Sequence, residues 1–400
     1  PIPGTDPVEY EWEQQGYVSQ ETTTRNSPGN EQRYVYRQNF DRNGNSSAPA
    51  LVDVVNLDSG SAENPREEGD RVAGAEPGSG TRDSILLEYA GDEPVDIQAG
   101  ALYVGRGDIL FVSGDNATLQ CTGGTIEESA TVRLQAHMLL TGNVTVTGAK
   151  TTFECRSISG GQVIASNLQG GTIQIGTFAD TPGNALEVTG SANSQFVLGV
   201  ENAGGWGVSA QNSLCLLFDV AASDCARGGV RMLDVLDSGA NVSASSMDTG
   251  LRAMNCQGCT FSGLFTGLNA GLEIEDGGGH NLAQCRFEGC ADGLVASNTS
   301  GNTAEVEGAG CTRTVHLQGG AGHNLLDLRV ESGGTGILLT GAGASHNTMN
   351  LLAKGVNTAI ARLEDGASEN LAVLEADWGD FSGDGVVLAG NGTSNNEVRD

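Results

Sequence analysis

From about residue 95 onward the chain is a succession of short segments in which apolar and polar residues alternate, broken by glycine, asparagine and serine. Alternation at period two is the mark of a strand with one face buried. One form of it recurs as a small residue followed by apolar-x-apolar. The anchors are Ala185, Gly207, Gly229, Gly250, Gly271, Gly293, Thr314, Gly336, Ala359 and Gly385, spaced by 22, 22, 21, 21, 22, 21, 22, 23 and 26 residues. An aliphatic residue follows every anchor, from Leu186 and Val208 to Ile360 and Val386. Two positions further on only Arg362 is not apolar, and Leu363 beside it indicates a one-residue bulge.

A second strand precedes each anchor by about 12 residues. It is marked by Asn281, Asn302, Asn324, Asn347, Asn370 and Asn396. Apolar residues stand two and four positions on, among them Ala283 with Cys285, Leu326 with Leu328, and Met349 with Leu351. Two inward-facing strands and their turns in about 22 residues describe one coil of a solenoid. A single coil cannot bury its inner face, so coils must stack at the strand spacing of about 4.8 Å, with equivalent residues above one another. An asparagine in every coil then becomes a ladder of amides hydrogen-bonded along the stack. Helical repeats of 33 to 47 residues and the leucine-rich pattern match neither the period nor the alternation. The expected fold is all-β, a right-handed parallel β-helix over 81–400 with its clearest repeats at 185–400. Strand-like runs such as Ile109–Val112, Thr131–Leu134 and Ile173–Ile175 read as about four further coils. Residues 1–80 are polar and read as an attachment or linker region with little core of its own.

Composition fits a narrow core. Glycine contributes 60 of 400 residues and proline 9, while 38% of residues are apolar and 5% aromatic. Charge adds something new. Fifty acidic residues oppose 20 basic ones for a net −30, and only Lys150 and Lys354 are lysine. Acidity, scarce lysine and small side chains together resemble proteins adapted to extreme salt, where carboxylate repulsion is screened. The same charge argues against nucleic acid or an anionic membrane as partner. Nowhere is there an apolar run long enough to span a bilayer. The opening Pro1-Ile2-Pro3-Gly4 lacks the basic and apolar regions of a secretion signal, so the expectation is a processed chain or one assembled in the cytosol.

Candidate chemistry is thin. Nine cysteines cannot all pair within one chain. Cys256 and Cys259 form a CxxC without a second pair at zinc spacing, and Cys290 and Cys311 share one repeat position in adjacent coils, so core filling is the expectation for the cysteines. His280, His323 and His346 sit beside ladder asparagines and read as turn residues; no metal or cofactor is expected. Glycoside hydrolysis needs two carboxylates roughly 5–10 Å apart. Glu273 with Glu275, Glu305 with Glu307, and the aspartates at 377, 380 and 384 meet that spacing, but among 50 acidic residues proximity singles out none as catalytic. Asp377, Trp378, Asp380 and Asp384 lie in the longest coil, where an aromatic among carboxylates suits sugar stacking or cation binding. Tyr10, Trp12, Tyr17, Tyr34, Tyr36 and Phe40 concentrate amphipathic anchors in the polar leader and read as a docking surface for another protein.

The asparagine ladder and the glycine-aliphatic strand resemble the pectate-lyase-like right-handed β-helices, and within them viral tailspikes and tail fibres. The resemblance covers about three quarters of the chain. It implies a structural virion protein of a virus of halophilic hosts, held by its N-terminus to other virion proteins, with the β-helix on the virion surface touching a host glycan or glycoprotein. It also implies a homo-oligomer, with a trimer favoured; Asn396 and Val398 fall in the last coil with no capping segment after them. The polygalacturonase set of Asn-Thr-Asp, Asp-Asp, Gly-His-Gly and Arg-Ile-Lys is absent, and Gly279-His280 runs into ladder Asn281. The alternatives are a viral glycoside hydrolase or polysaccharide lyase on the same scaffold, and a secreted or cell-surface β-helix of a haloarchaeon.

The charge yields the first prediction. A net −30 repels itself, and molar salt shortens the screening length to about 3 Å. The thermal midpoint is expected to rise between low-salt buffer and molar KCl. A midpoint flat across that series would remove the high-salt reading.

Overall fold

In the computed structural model the described residues are 94–377 and 382–399, with backbone also placed for strands Glu9–Trp12, Val18–Ser27, Asn30–Phe40, Ala50–Asn56 and Arg82–Glu88. Every element among them is a β-strand. The chain divides into two compact units, 1–182 and 183–400.

The first unit starts with antiparallel pairing. Val18–Ser27 pairs with Glu9–Trp12 and with Asn30–Phe40, which also pairs with Ala50–Asn56. Backbone strands are thus placed within residues 1–80, which the sequence reads as an attachment or linker region. Arg82–Glu88 then pairs antiparallel with Asn30–Phe40 and parallel with Ile109–Ile126. From there the pairing is parallel and coil-spaced, with Ile109 beside Thr131, Thr131 beside Thr152 and Thr152 beside Thr172.

The second unit is the parallel solenoid read from the repeat. Strands that follow the anchors stack on one another as one sheet, here called the anchor sheet. Leu186 pairs with Val208, Val208 with Val230, Val230 with Leu251 and Leu251 with Leu272. Strands that follow the ladder position stack as a second sheet, the ladder sheet. Leu282 pairs with Thr303, Thr303 with Leu325 and Leu325 with Thr348. The alternating aliphatics point inward and are buried, Val208, Val230, Leu251, Leu272, Val315 and Ile337 all reaching zero exposure. Each such side chain contributes about 1.5–3 kcal/mol by leaving water.

One anchor moves. Gly333 pairs with Val356 but Thr335 pairs with Ala359, so the later strand carries one extra residue between them. The anchor position is thus Ile360, opposite Gly336, and the inward aliphatics are Ala361 and Leu363. Arg362 points outward as a regular strand residue, and the bulge lies before the anchor instead of at Arg362.

Glycine at the anchors answers to the aromatic residues packed over them. A Cβ at Gly271 would lie 2.4 Å from the Phe287 ring, and one at Gly250 2.3 Å from Phe265. These two rings stack on each other with centroids 5.4 Å apart. In the next coil Gly308 replaces the phenylalanine, and there the anchor enlarges to Thr314.

The turns are columns as well. Near the end of each anchor strand Gly190, Asn212, Asp234, Asn255, Asp276, Asn298, Gly319, Gly341, Asp365 and Gly390 all have φ between 50° and 92°. Only glycine, asparagine and aspartate fill this column, because other side chains crowd the carbonyl in the left-handed region. The residue before each ladder position is also left-handed, and there His280, His323, His346 and Glu369 adopt φ of 57–59°.

That strain is held by the ladder next to it. Asn281, Asn302, Asn324, Asn347 and Asn370 are buried. Each amide nitrogen donates to the amide oxygen one coil on, at 2.9–3.1 Å, ending on Asn396. Each of those oxygens also accepts the backbone N–H of the preceding asparagine at 3.0–3.1 Å. The second amide hydrogen of Asn347 and Asn370 goes to the carbonyls of Ala321 and Ala344. Asn324→Leu would leave the Asn302 amide and N–H without their acceptor, at a cost of about 1–3 kcal/mol. Chemical denaturation of the variant in molar salt checks this; unchanged stability would show that the ladder does not hold the turn.

Candidate functional site

Side chains that alternate with the buried positions cover the outside of the ladder sheet. Because pairing is in register, they too form columns. Gln284, Glu305 and Asp327 stack in one, Arg286, Glu307 and Arg329 in the next, and Glu288, Ala309 and Glu331 in the third. The Gln284 amide donates to Glu305 at 2.8 Å. Arg286 pairs with Glu288 at 2.8 Å and Arg329 with Glu331 at 2.9 Å, each along its own strand. Glu307 lies between the two arginines of its column.

These residues line a concavity of about 450 Å³ that runs from Gly263 across Gln284, Arg286, Glu305 and Glu307 to Asp327 and Arg329. A second hollow of about 220 Å³ continues it past Gly308 and Ala309 to Glu331. Gly263 opens one end. It occupies an inward position held by Val242 and Cys285 in the neighbouring coils, at φ 145°, where a Cβ would strike the Val242 carbonyl. Exposed leucines bound the arginine column, Leu264 at 40% and Leu352 at 45% exposure. The result is a shallow groove with carboxylates, guanidinium groups and one amide at strand spacing, and apolar shoulders. Such a surface offers paired donors and acceptors to vicinal hydroxyls and apolar contact to ring C–H faces.

The outside of the anchor sheet carries a second, drier cluster. Arg252 stacks on Glu273, and Glu275 lies two residues further along the same strand. Its guanidinium binds Glu275 at 2.6 Å and approaches Glu273 at 3.5 Å. In the next two coils Asp292 and Arg313 form a bidentate pair. Val295 points outward between Glu273 and His316, yet these neighbours leave it only 7% exposed. Burial pushes the Glu273 carboxyl above its ordinary value, opposed by Arg252 and reinforced by Glu275, Asp248 and Asp292. Burial also lowers the His316 imidazole, whose ring meets Thr340 at 3.2 Å. Glu273 and Glu275 therefore hold unequal environments about 7 Å apart along the strand.

The structure sorts the sequence candidates. Glu305 and Glu307 meet in the groove together with Arg286, Arg329 and Asp327, which the pattern alone did not single out. Asp384 is exposed beside Ala359 on the anchor sheet. Trp378, Asp380 and the Asp377 side chain lie outside the described residues, as do Tyr17 and the side chains of Tyr10, Trp12, Tyr34, Tyr36 and Phe40. His280, His323 and His346 are turn residues; the last two stack with ring centroids 4.7 Å apart, and His346 meets Glu369 at 2.6 Å. Among the described residues no group of three or more His, Cys, Asp or Glu side chains is arranged to hold a metal ion.

No protein-family model matches the chain, and no curated protein matches it in sequence. Among solved structures it is similar to ORF18 of Geobacillus virus E2, at 11% identity and a TM-score of 0.35 over 61% of this chain and 52% of that one. It is also similar to the A-module of the mannuronan C-5 epimerase AlgE4 of Azotobacter vinelandii, at 13% identity and a TM-score of 0.26 over 78% of this chain and 90% of that one.

Glu273 gives a prediction with a definite sign. A carboxyl whose folded value is raised binds its proton more tightly when folded, so its contribution to stability is lost as pH rises through that value. Glu273→Gln removes the loss while keeping the Arg252–Glu275 pair. The variant is expected to be more stable than the parent at neutral pH, with the gap closing below the ordinary carboxylate range. Parallel stability curves from pH 4 to 8 would show instead that Glu273 is not desolvated.

Proposed function

We propose that this protein is a display scaffold whose ladder sheet binds a polyhydroxylated surface glycan, as the host-recognition part of a virion spike or tail fibre working in high salt. The observation that carries the reading is the groove of about 450 Å³, where charged and amide side chains from adjacent coils converge at fixed strand spacing. Rigidity supports it. Hydrogen-bonded coils hold these groups in register, so little conformational freedom is lost on binding. The net −30 keeps such a surface soluble and unattached to nucleic acid. On this reading the aromatic-rich leader docks the chain to its assembly, and copies of the β-solenoid associate with one another, three being the favoured number.

A second reading has its own support. Glu273, whose carboxyl burial raises, and Glu275, ion-paired with Arg252, supply two carboxyl groups at the separation a glycoside hydrolase needs. A polysaccharide-cleaving activity would then sit on the anchor sheet, away from the binding groove.

Both readings meet one experiment. The full chain is applied in molar KCl to immobilised envelope polysaccharides of halophilic archaea and bacteria, with Arg286→Ala, Arg329→Ala and Glu273→Gln beside it. Glycan retention that weakens about tenfold with either arginine variant is expected, a loss near 1.4 kcal/mol. Retention indifferent to both arginines would overturn the groove assignment. Release of oligosaccharide that stops with Glu273→Gln would establish the enzymatic reading.

A further inference from the structure

Most cysteines of this chain are explained as small core residues. Cys121, Cys155 and Cys285 are buried, and burial is the main cause that pushes each thiol up to about 12, where it is inert. Cys290 and Cys311 differ. Glu288 pairs with Ala309 and Asp292 with Arg313, which places Cys290 and Cys311 side by side in adjacent coils. Both are 1% exposed, and each thiol donates to the phenylalanine carbonyl of the coil before it, Cys290 to Phe265 and Cys311 to Phe287. The neighbour-strand spacing puts their Cα atoms about 4.8 Å apart, inside the window of roughly 4.4–6.8 Å that a disulfide spans. Each follows a left-handed glycine, Gly289 at φ 63° and Gly310 at φ 67°. The sulfurs therefore sit at a corner where the strand has just turned, and the backbone there is not confined to flat ladder geometry.

We propose that Cys290 and Cys311 are a disulfide-forming pair that cross-links two neighbouring coils when the protein meets an oxidising thiol buffer such as glutathione disulfide. The Cys290 thiolate attacks one sulfur of glutathione disulfide and releases one glutathione thiolate. The Cys311 sulfur then attacks Cys290 of the mixed disulfide, its proton leaves to solvent, and the second glutathione thiolate departs. Two protein thiols are oxidised by two electrons and one glutathione disulfide is reduced to two glutathione molecules. Cys290 leads because the Cys311 thiol beside it and the backbone hydrogen bonds around it hold its thiol below the ordinary value, which favours its thiolate. The cross-link closes a loop of about 20 residues in the unfolded chain, which restricts that state and raises the stability of the fold. It also clamps the strands bearing Arg286 and Glu307, although the pairing does not depend on what the groove binds.

Cys256 and Cys259 are the internal comparison. They lie within one turn around left-handed Gly258, and the Cys259 N–H is tied to the ladder through Asn281. A bond between them would close a ring within one turn and would not join two coils.

The test uses the full chain purified under reductant in molar KCl, then equilibrated with glutathione disulfide just below its thermal midpoint, where corners open. Remaining thiols are alkylated in denaturant and peptides are mapped by mass. The expected result is one dominant cross-link between the peptides of Cys290 and Cys311, a mass lower by two hydrogens and a thermal midpoint higher than in the reduced control. Cys311→Ala, a small apolar replacement, should fold, lack the cross-link and lose the dependence of its midpoint on reductant. Both thiols alkylated in the oxidised wild-type protein, or a dominant Cys256–Cys259 bond in their place, would overturn the proposal.

Discussion

Because one coil of this protein carries only a handful of apolar side chains, it has no inside until another coil covers it. In-register hydrogen bonding between coils supplies that cover and imposes a condition on every other residue. Whatever stands at one position stands about 4.8 Å from its equivalent in the next coil. Apolar positions become a continuous core, asparagines become a ladder, and outward charges become columns. Each column must then be tolerable to itself, as where Glu307 stands between Arg286 and Arg329, and the turn columns admit few residue types.

The asparagine ladder shows how this condition joins sequence to strain. A left-handed histidine or glutamate costs free energy wherever it occurs. His323, His346 and Glu369 hold that conformation because the adjacent asparagine oxygen accepts both an amide and a backbone hydrogen one coil back, while beside His280 the Asn281 oxygen accepts the Cys259 N–H. Upstream, the serine at position 238 does part of the same work, accepting the Leu216 N–H. A column with mixed occupants is a common device in this chain. Phe287 over Gly293 gives way to Gly308 beside Thr314, so the core keeps its volume while individual residues exchange size across the gap.

The same stacking explains why the outer faces hold chemistry without deep cavities. A flat parallel sheet cannot enclose a ligand, so its hollows arise from missing or short side chains, here Gly263 at one end and Gly308 with Ala309 at the other. What the sheet supplies is regular placement. Arg286, Glu307 and Arg329 form a ruler of alternating charge, and the desolvated cluster of Arg252, Glu273 and Glu275 on the other sheet comes from packing that leaves Val295 almost covered.

The period, the two strands of each coil and the ladder were legible from sequence by itself. Inward positions take small and apolar residues, and from Asn281 to Asn396 every ladder position is asparagine, so these constraints are written at each of those repeats. A further column is equally legible: the run from Gly190 through Asp276 to Gly390 contains only glycine, asparagine and aspartate, the signature of the left-handed turn. The register at Ile360 was not legible, since Ala359-Ile360 satisfies the local pattern as well as Ile360-Ala361 does. Only the neighbouring strand decides between them. The site was least legible of all. Fifty acidic residues look alike in one dimension, and what separates Glu307 or Glu273 from the rest is which guanidinium the next coil brings beside it and how much water the stack leaves there.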